Sequence, residues 1–341
     1  MTERLMTLCR LPGVSSREEA VRDYIRREAE SFADSIREDV MGNLIILKKG
    51  AKSTGKRLML VAHMDEVGLM IRSVTEEGYL KFHTVGGIDR RVLIGKKVLV
   101  GDGGIPGIIG LKAHHLVGKE EEKRVPKLSE YYIDIGGETA DGVKALVRPG
   151  DVAVFDSSPT PFGDGLIMGK ALDDRIGCGV LLELLACPLP MDCTFAFTVQ
   201  EEVGTRGAFG TTFSVKPEIA LVLEGTTAAD LPHLEPHQQV CSPGKGPVIP
   251  FMDGGAVYDR GLFELLRDLA EEHGISWQTK RLIAGGTDAS AIQTSGTGAR
   301  VAGISAAVRY LHTPDSVASI EDYENMVKLA YQFVAAIAAS C

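Results

Sequence analysis

A chain of 341 residues with 44% hydrophobic and 24% charged residues is long enough for one large domain and a second, smaller one, and this balance excludes disordered and collagen-like classes. With 37 Lys and Arg against 46 Asp and Glu the net charge is −9 and no basic run stands out, which excludes the footprint of a nucleic-acid or anionic-membrane binder and leaves carboxylates for cations. The cysteines Cys9, Cys178, Cys187, Cys193, Cys241 and Cys341 form no CxxC pair, and no apolar run has signal-peptide or membrane-spanning length, so the expected setting is the reducing cytoplasm.

The spacing of Val21, Tyr24, Ile25 and Ala29 predicts a first helix from Ser16 to about Phe32, with Ser16 and Glu19 as a capping box. Asn43–Leu47 reads as a short strand, and RLMLVA at Arg57–Ala62 as a strand buried on both faces with His63-Met64-Asp65 at its carboxyl end. From about Gly68 to Gly163 short Val- and Ile-rich runs are cut by glycines, a texture that predicts a small β-barrel or sandwich inserted into an α/β chain. The expected domains are therefore 1–67 plus 164–341 and the insert 68–163, in which His114-His115 is a surface loop. After the insert, ALDDR at Ala171–Arg175 leads into an apolar helix from Ile176 to Ala186. Asp192–Val199 is a strand running into Glu201-Glu202, and Glu218–Leu223 is a strand ending at Glu224. The long loop Gly225–Pro250 suggests function. A helix near Asp259–Glu272, strands at Ser276–Ile283 and Val301–Val308, and a closing helix over Ile320–Ala339 capped by Ser319 complete the order. Strands alternating with helices predict an α/β fold, a mostly parallel central sheet with helices on both faces.

In open α/β sheets ligands bind outside the carboxyl ends of the strands. His63, Glu201-Glu202, Glu224 and His312 fall at or beyond such ends on four predicted strands, and Asp173-Asp174 sits at a helix entrance. Adjacent carboxylates at the end of an apolar run repel each other unless a cation or a shared proton compensates. On an extended chain they point in opposite directions, so one can bind metal while the other faces a substrate-side water. The set offers imidazole and carboxylate ligands, no thiolate, and more carboxylates than one zinc needs, which reads as a two-metal site that activates a water. A further carboxylate must then take that water's proton. Asp65, two residues from His63, can accept the other ring N–H and fix the tautomer.

AHMDEVG at Ala62–Gly68, KALDDRIGCG at Lys170–Gly179, VQEEVGTRGA at Val199–Ala208, LEGT at Leu223–Thr226, GGTDA at Gly285–Ala289 and RYLHTP at Arg309–Pro314 together resemble the glutamyl aminopeptidase and cellulase-M-like family of tetrahedral, cocatalytic metalloaminopeptidases. The resemblance spans almost the whole chain, in order. It implies a zinc-peptidase-like catalytic domain with an inserted β-barrel or PDZ-like dimerisation domain. It makes His63 and His312 terminal metal ligands, Asp173 the bridging carboxylate, Glu202 and Glu224 the residues completing one ion's set each, Glu201 the general base, Asp65 the orienter of His63, and Asp174 a residue that shapes the site. The implied cofactors are two divalent ions per subunit, zinc or cobalt. The implied reaction removes the N-terminal residue of peptides with a hydroxide bridging the ions as nucleophile, and the implied assembly is a dimer through the insert and a tetrahedral dodecamer, without nucleic-acid or membrane partners.

Glu224 departs from the family pattern, where many members carry Asp, and Asp230 is the alternative ligand. Asp288 is expected to line the pocket for the substrate's N-terminal residue, His233 and His237 to be exposed in their loop, and Cys178 to be a small core residue. Competing readings are a related deacylase or carboxypeptidase, a glucanase, and a non-catalytic metal-binding scaffold. Two metals suit amide better than glycan hydrolysis, and a structural metal site needs no spare base such as Glu201.

Overall fold

The computed structural model describes residues 2–340. In chain order it lays down β1 (Ser35–Glu38), β2 (Leu44–Lys48) and β3 (Leu58–His63); then β4 (Gly68–Val74), β5 (Leu80–Val85), β6 (Lys97–Val100), β7 (Ile105–Gly110), β8 (Tyr132–Asp134) and β9 (Val152–Phe155). The remaining strands are β10 (Thr160–Phe162), β11 (Leu166–Gly169), β12 (Cys193–Thr198), β13 (Ile219–Thr227), β14 (Arg300–Val308) and β15 (Ser316–Ser319).

The large sheet has the order β1-β2-β12-β3-β13-β14, with β12, β3, β13 and β14 parallel and the β1–β2 hairpin antiparallel at one edge. Every residue of β3 is buried, because side chains alternate between two covered faces. Leu58, Leu60 and Ala62 join the core beneath helices Thr2–Arg10, Glu19–Ala29, Leu172–Ala186 and Ile320–Ala339. Met59 and Val61 pack on the opposite side with Ala208 and Ile292, from helices Arg206–Val215 and Ala289–Thr294. Strands β4 to β9 close into a barrel of order β4-β5-β8-β7-β6-β9 around its own core of Leu69, Ile71, Phe82, Val98, Ile133 and Phe155. The short strands β10, β11 and β15 form a third sheet.

Three elements depart from the sequence reading. The chain already has a helix at Thr2–Arg10, and the next begins at Glu19 rather than Ser16. No capping box forms there, because Ser16 adopts φ 73° and the Glu18 side chain turns away from the helix. The segment Ser276–Ile283 is not a strand: Gln278 N–H donates to Pro247 O and its side chain to Ser242 O and Gly246 O, so it laces the preceding loop instead of extending the sheet. The helix expected from Ile176 starts at Leu172, with non-helical dihedrals at Asp173 and Asp174.

Among the described residues no helix is long and apolar enough to cross a membrane. Cys9, Cys178, Cys187, Cys193 and Cys241 are free thiols, and Cys341 lies outside the described residues.

Candidate metal centre

The parallel pairing brings the functional segments out of the sheet side by side. β12 and β3 stay in register to Thr198↔His63, where both strands end. β13 pairs with β3 only as far as Val222↔Val61 and continues against β14 alone, so Glu224 stands where β13 parts from β3. Around this point Ala171, Gln200, Thr205, Tyr310 and His312 adopt φ values of 55°, 57°, 53°, 55° and 58°, although none is glycine. Such left-handed residues cost on the order of 1–3 kcal/mol each and collect at functional sites.

Asp173 lies between the two imidazoles. Its Oδ1 is 3.2 Å from His63 Nε2 and its Oδ2 is 3.5 Å from His312 Nε2. Glu202 Oε1 approaches His312 Nε2 to 3.1 Å, Glu224 Oε1 lies 3.8 Å from His63 Nε2, and Glu201 Oε2 lies 4.0 Å from the same nitrogen. The close approach of Asp173 depends on Gly225, where a Cβ would meet Asp173 Cβ at 2.9 Å.

The far nitrogens of both rings face carbonyls, which can only accept. His63 Nδ1 is 3.1 Å from Asp65 O and 3.4 Å from Asp65 Oδ1; His312 Nδ1 is 2.7 Å from Gly87 O, carried by the loop after β5 of the barrel. Both rings therefore hold the proton on Nδ1 and turn Nε2 inward, the tautomer a metal ligand requires. Asp65 also accepts Glu201 N–H at 2.9 Å, Glu202 N–H at 3.1 Å and Ser15 O–H at 2.6 Å, so one buried carboxylate ties the His63 strand end to the Glu pair.

This donor set fits divalent cations. Glu224 Oε2 and Glu202 Oε1 are buried without a hydrogen bond; the 3.1 Å contact of the latter with His312 lacks hydrogen-bond geometry. Buried carboxylate oxygens left unpaired are costly unless something positive faces them. In three clusters, His63 with Asp173 and Glu202, His63 with Glu201 and Glu224, and Asp173 with Asp174 and Glu224, the ligand atoms lie within 4.8 Å of one another. Burial pushes the carboxyls of Glu201, Glu202 and Glu224 upward, and crowding among the acids adds to it. Burial works against protonation of the histidines, but the surrounding carboxylates outweigh it, raising His63 and taking His312 to about 11. The bare cluster thus draws in protons to offset its charge, which is the work cations would do.

A cavity of about 350 Å³ opens beside Asp173, Glu201, Glu202 and Glu224. Its wall also carries Thr226, Thr227, Thr287, Ser290 and Lys280; the Lys280 ammonium is largely buried and donates to Ala284 O at 3.0 Å. Burial lowers the Lys280 pKa.

Other residues singled out in the sequence fall elsewhere. Asp288 does not line the cavity: it is 1% exposed and turned under the sheet edge, where Thr198 O–H donates to Oδ2 at 2.5 Å. At the entrance of the helix Ala289–Thr294 it makes no side-chain cap bond, and its Oδ1 is buried without a hydrogen bond. Asp174 accepts His63 N–H at 3.2 Å and Gly177 N–H at 2.9 Å, which commits it to the backbone. Asp230 is taken by Arg309 through contacts of 2.7 and 2.6 Å, whereas Glu224 is in the cluster. His233 and His237 are exposed, as is the His114-His115 turn. Cys178 is buried, donating its S–H to His63 O at 3.1 Å, and burial pushes its thiol up. Sequence reasoning missed Ser15, Glu18 and Lys280, whose roles rest on tertiary partners that leave no local signal, and Gly87, for which the Gly86-Gly87 pair was the available signal.

The profile of the M42 glutamyl aminopeptidase family matches residues 42–329. A putative aminopeptidase of Acetivibrio thermocellus is 37% identical over 98% of both chains. Among solved structures, a TET aminopeptidase from a marine-sediment Thaumarchaeota archaeon superposes with a TM-score of 0.93 at 33% identity, over 98% of this chain and 95% of that one. The Pyrococcus horikoshii TET1 peptidase, described as assembling into a tetrahedron or a large octahedral shell, gives 0.87 at 36% identity over 98% of both chains. Likeness of this extent, from one end of the chain to the other, agrees with the chemistry at the sheet edge: the chain belongs to the M42 glutamyl aminopeptidase family and is an aminopeptidase.

Proposed function

We propose that this aminopeptidase is a two-metal enzyme that hydrolyses the N-terminal peptide bond of peptides. The observation that carries the reading is Asp173, one oxygen turned to each imidazole, as a carboxylate shared by two ions would be. His63 and Glu224 would hold one ion and His312 and Glu202 the other, with Asp173 common to both; an imidazole and carboxylate set without thiolate suits zinc or cobalt. Bound ions of this kind supply Lewis acidity and make water a nucleophile near neutral pH.

Glu201 is the residue left over. Its Oε2 faces the cluster from the cavity wall, where it takes the proton of the attacking water and passes it to the leaving nitrogen. Asp65 acts through others: it holds the Glu201 and Glu202 amides and faces the protonated nitrogen of His63. Replacing Glu201 by Gln keeps size and hydrogen bonding but removes the base, so turnover of aminoacyl-p-nitroanilides should fall by roughly 10²–10⁴ with metal content unchanged. Full turnover in that variant would sink the assignment; hydrolysis of N-acetyl amino acids or cellulose instead of free N-terminal substrates would favour the deacylase or glucanase readings.

The cavity supports a substrate class as well. Hydroxyl residues and one buried ammonium form part of its wall, and a single carbonyl contact leaves the Lys280 ammonium able to donate further. We read this wall as built for an acidic side chain at the substrate's N-terminus. Lys280→Met should cut kcat/KM for glutamyl-p-nitroanilide by about 10- to 100-fold, as loss of a charge-assisted hydrogen bond does, while sparing leucyl-p-nitroanilide. An equal loss on both substrates would refute the assignment.

We take residues 68–163 as the inserted module and propose that it pairs subunits into dimers that build a tetrahedral dodecamer, on the strength of the likeness to the TET1 peptidase. Light scattering of the metal-loaded enzyme tests this, and a monomer contradicts it. Unpaired thiols support a cytoplasmic location.

A further inference from the structure

The segment from Leu11 to Glu18 joins the first two helices and belongs to neither the large sheet nor the barrel, yet it runs against the metal centre. Glu66 N–H donates to Gly13 O at 2.9 Å, and Ser15 N–H returns to Glu66 O at 3.4 Å, a short parallel bridge to the residues just past β3. Arg175, fully buried, fastens both partners from below, donating to Met64 O at 3.0 Å and Leu11 O at 3.2 Å. From this strap two side chains reach the site. Ser15 O–H donates to Asp65 Oδ2 at 2.6 Å, and Glu18, 3% exposed, places Oε1 2.7 Å from Ser16 N and 3.2 Å from Gln200 N.

Ser16 and Gln200 are both left-handed, at φ 73° and 57°, so one carboxylate oxygen collects the amides of two strained non-glycine residues on separate segments. The Gln200 turn is what sends the Glu201 and Glu202 amides back onto Asp65 and lets the two carboxylates diverge. A helix-capping role does not account for Glu18, because it makes no side-chain cap bond to the helix it precedes. We propose that Glu18, seconded by Ser15, is a positioning residue for the Glu201-Glu202 turn, and that the N-terminal strap is thereby part of the catalytic apparatus. The catalytic half of this statement rests on the assignment of Glu201 as base; the structural half does not.

The test uses the full-length, metal-loaded enzyme and the aminoacyl-p-nitroanilide it turns over fastest. Glu18→Ala should lower kcat by about 10- to 100-fold, the usual effect of losing an outer support, with KM within about twofold and metal equivalents unchanged. Glu18→Gln, which keeps the acceptor oxygen, should restore most of the rate. So should Glu18→Ala combined with Gln200→Gly, because glycine holds the left-handed turn without help. An unchanged kcat in Glu18→Ala, or a loss relieved by neither Glu18→Gln nor the glycine, overturns the proposal. Should Glu18→Ala fail to fold, amide hydrogen exchange on the unmodified protein decides: the Gln200 N–H should exchange as slowly as those of β12, and rapid exchange there overturns the clamp. This measurement needs no turnover, so a failure of the peptidase reading, such as full activity in Glu201→Gln, is told apart from a failure of the strap.

Discussion

The two halves of the proposed metal centre are built by different means. His63 and Glu224 stand on strands of the central sheet, where backbone pairing sets the direction of each side chain, and they are 1% and 4% exposed. Glu202 and His312 stand on loops beyond β12 and β14, and His312 is 24% exposed. The strand half needs little beyond the sheet. The loop half is held from outside: Gly87 O of the barrel fixes the His312 ring, Asp65 holds the Glu202 amide, and left-handed residues shape both turns. Precision that the sheet supplies freely on one side is assembled on the other from remote contacts, and those contacts are where the site can be loosened without touching a ligand.

The largest effect should come from removing what the halves share. Asp173→Asn keeps shape but removes the negative charge between His63 and His312, so both ions should bind weakly and kcat/KM should fall roughly a thousandfold or more, the several kcal/mol that Lewis acidity contributes. Metal equivalents after desalting check this. Retention of both ions would mean that the halves are independent sites.

Next in size is Asp65→Ala, which strips the loop half of its main support. It leaves the Glu201 and Glu202 amides, the Ser15 hydroxyl and a flank of His63 without a carboxylate partner in a buried place. At about 1–3 kcal/mol for each unsatisfied buried group, partly relieved by water, the loss of stability should be about 2–5 kcal/mol. Urea unfolding of the metal-free protein measures it, and metal titration should show a weakening of about 10- to 100-fold at the ion held by Glu202 and His312. Equal weakening at both ions would blur the distinction between the halves.

The same contrast explains what could be read in the sequence. The strand half was legible because doubly buried parallel strands leave continuous apolar runs, and RLMLVA led straight to His63; Glu224 followed, although β13 runs on to Thr227 rather than stopping before it. His312 and the Glu pair were legible as motifs rather than as geometry, since nothing in the spacing of residues 309–314 announces a ring fixed by a barrel carbonyl 225 positions away. Asp288 is not among the residues lining the cavity, and a loop Asp before a helix gives no sign in the sequence of which way it faces. Lys280 was missed within Ser276–Ile283, a stretch expected to be a strand whose backbone bonds go to a loop instead. Strap residues Ser15 and Glu18 lie beside the expected Ser16–Glu19 capping box, and only their tertiary partners reveal their role.

The smallest effect should come from a residue of the strand half, Gly225. Its φ is ordinary, so a side chain there meets no backbone strain; the cost is contact alone, a Cβ 2.9 Å from Asp173 Cβ and 3.0 Å from its Cα. Because both contacts are to main-chain or first side-chain atoms, no rotamer change relieves them, and Asp173 must shift by a few tenths of an ångström. Gly225→Ala should therefore fold and bind metal about tenfold more weakly, in line with losses of supporting contacts at metal sites. If Asp173 serves both ions, as proposed, this weakening should appear at both in a metal titration, unlike the one-sided loss expected from Asp65→Ala. A one-sided loss from the Gly225 variant would assign Asp173 to one ion alone.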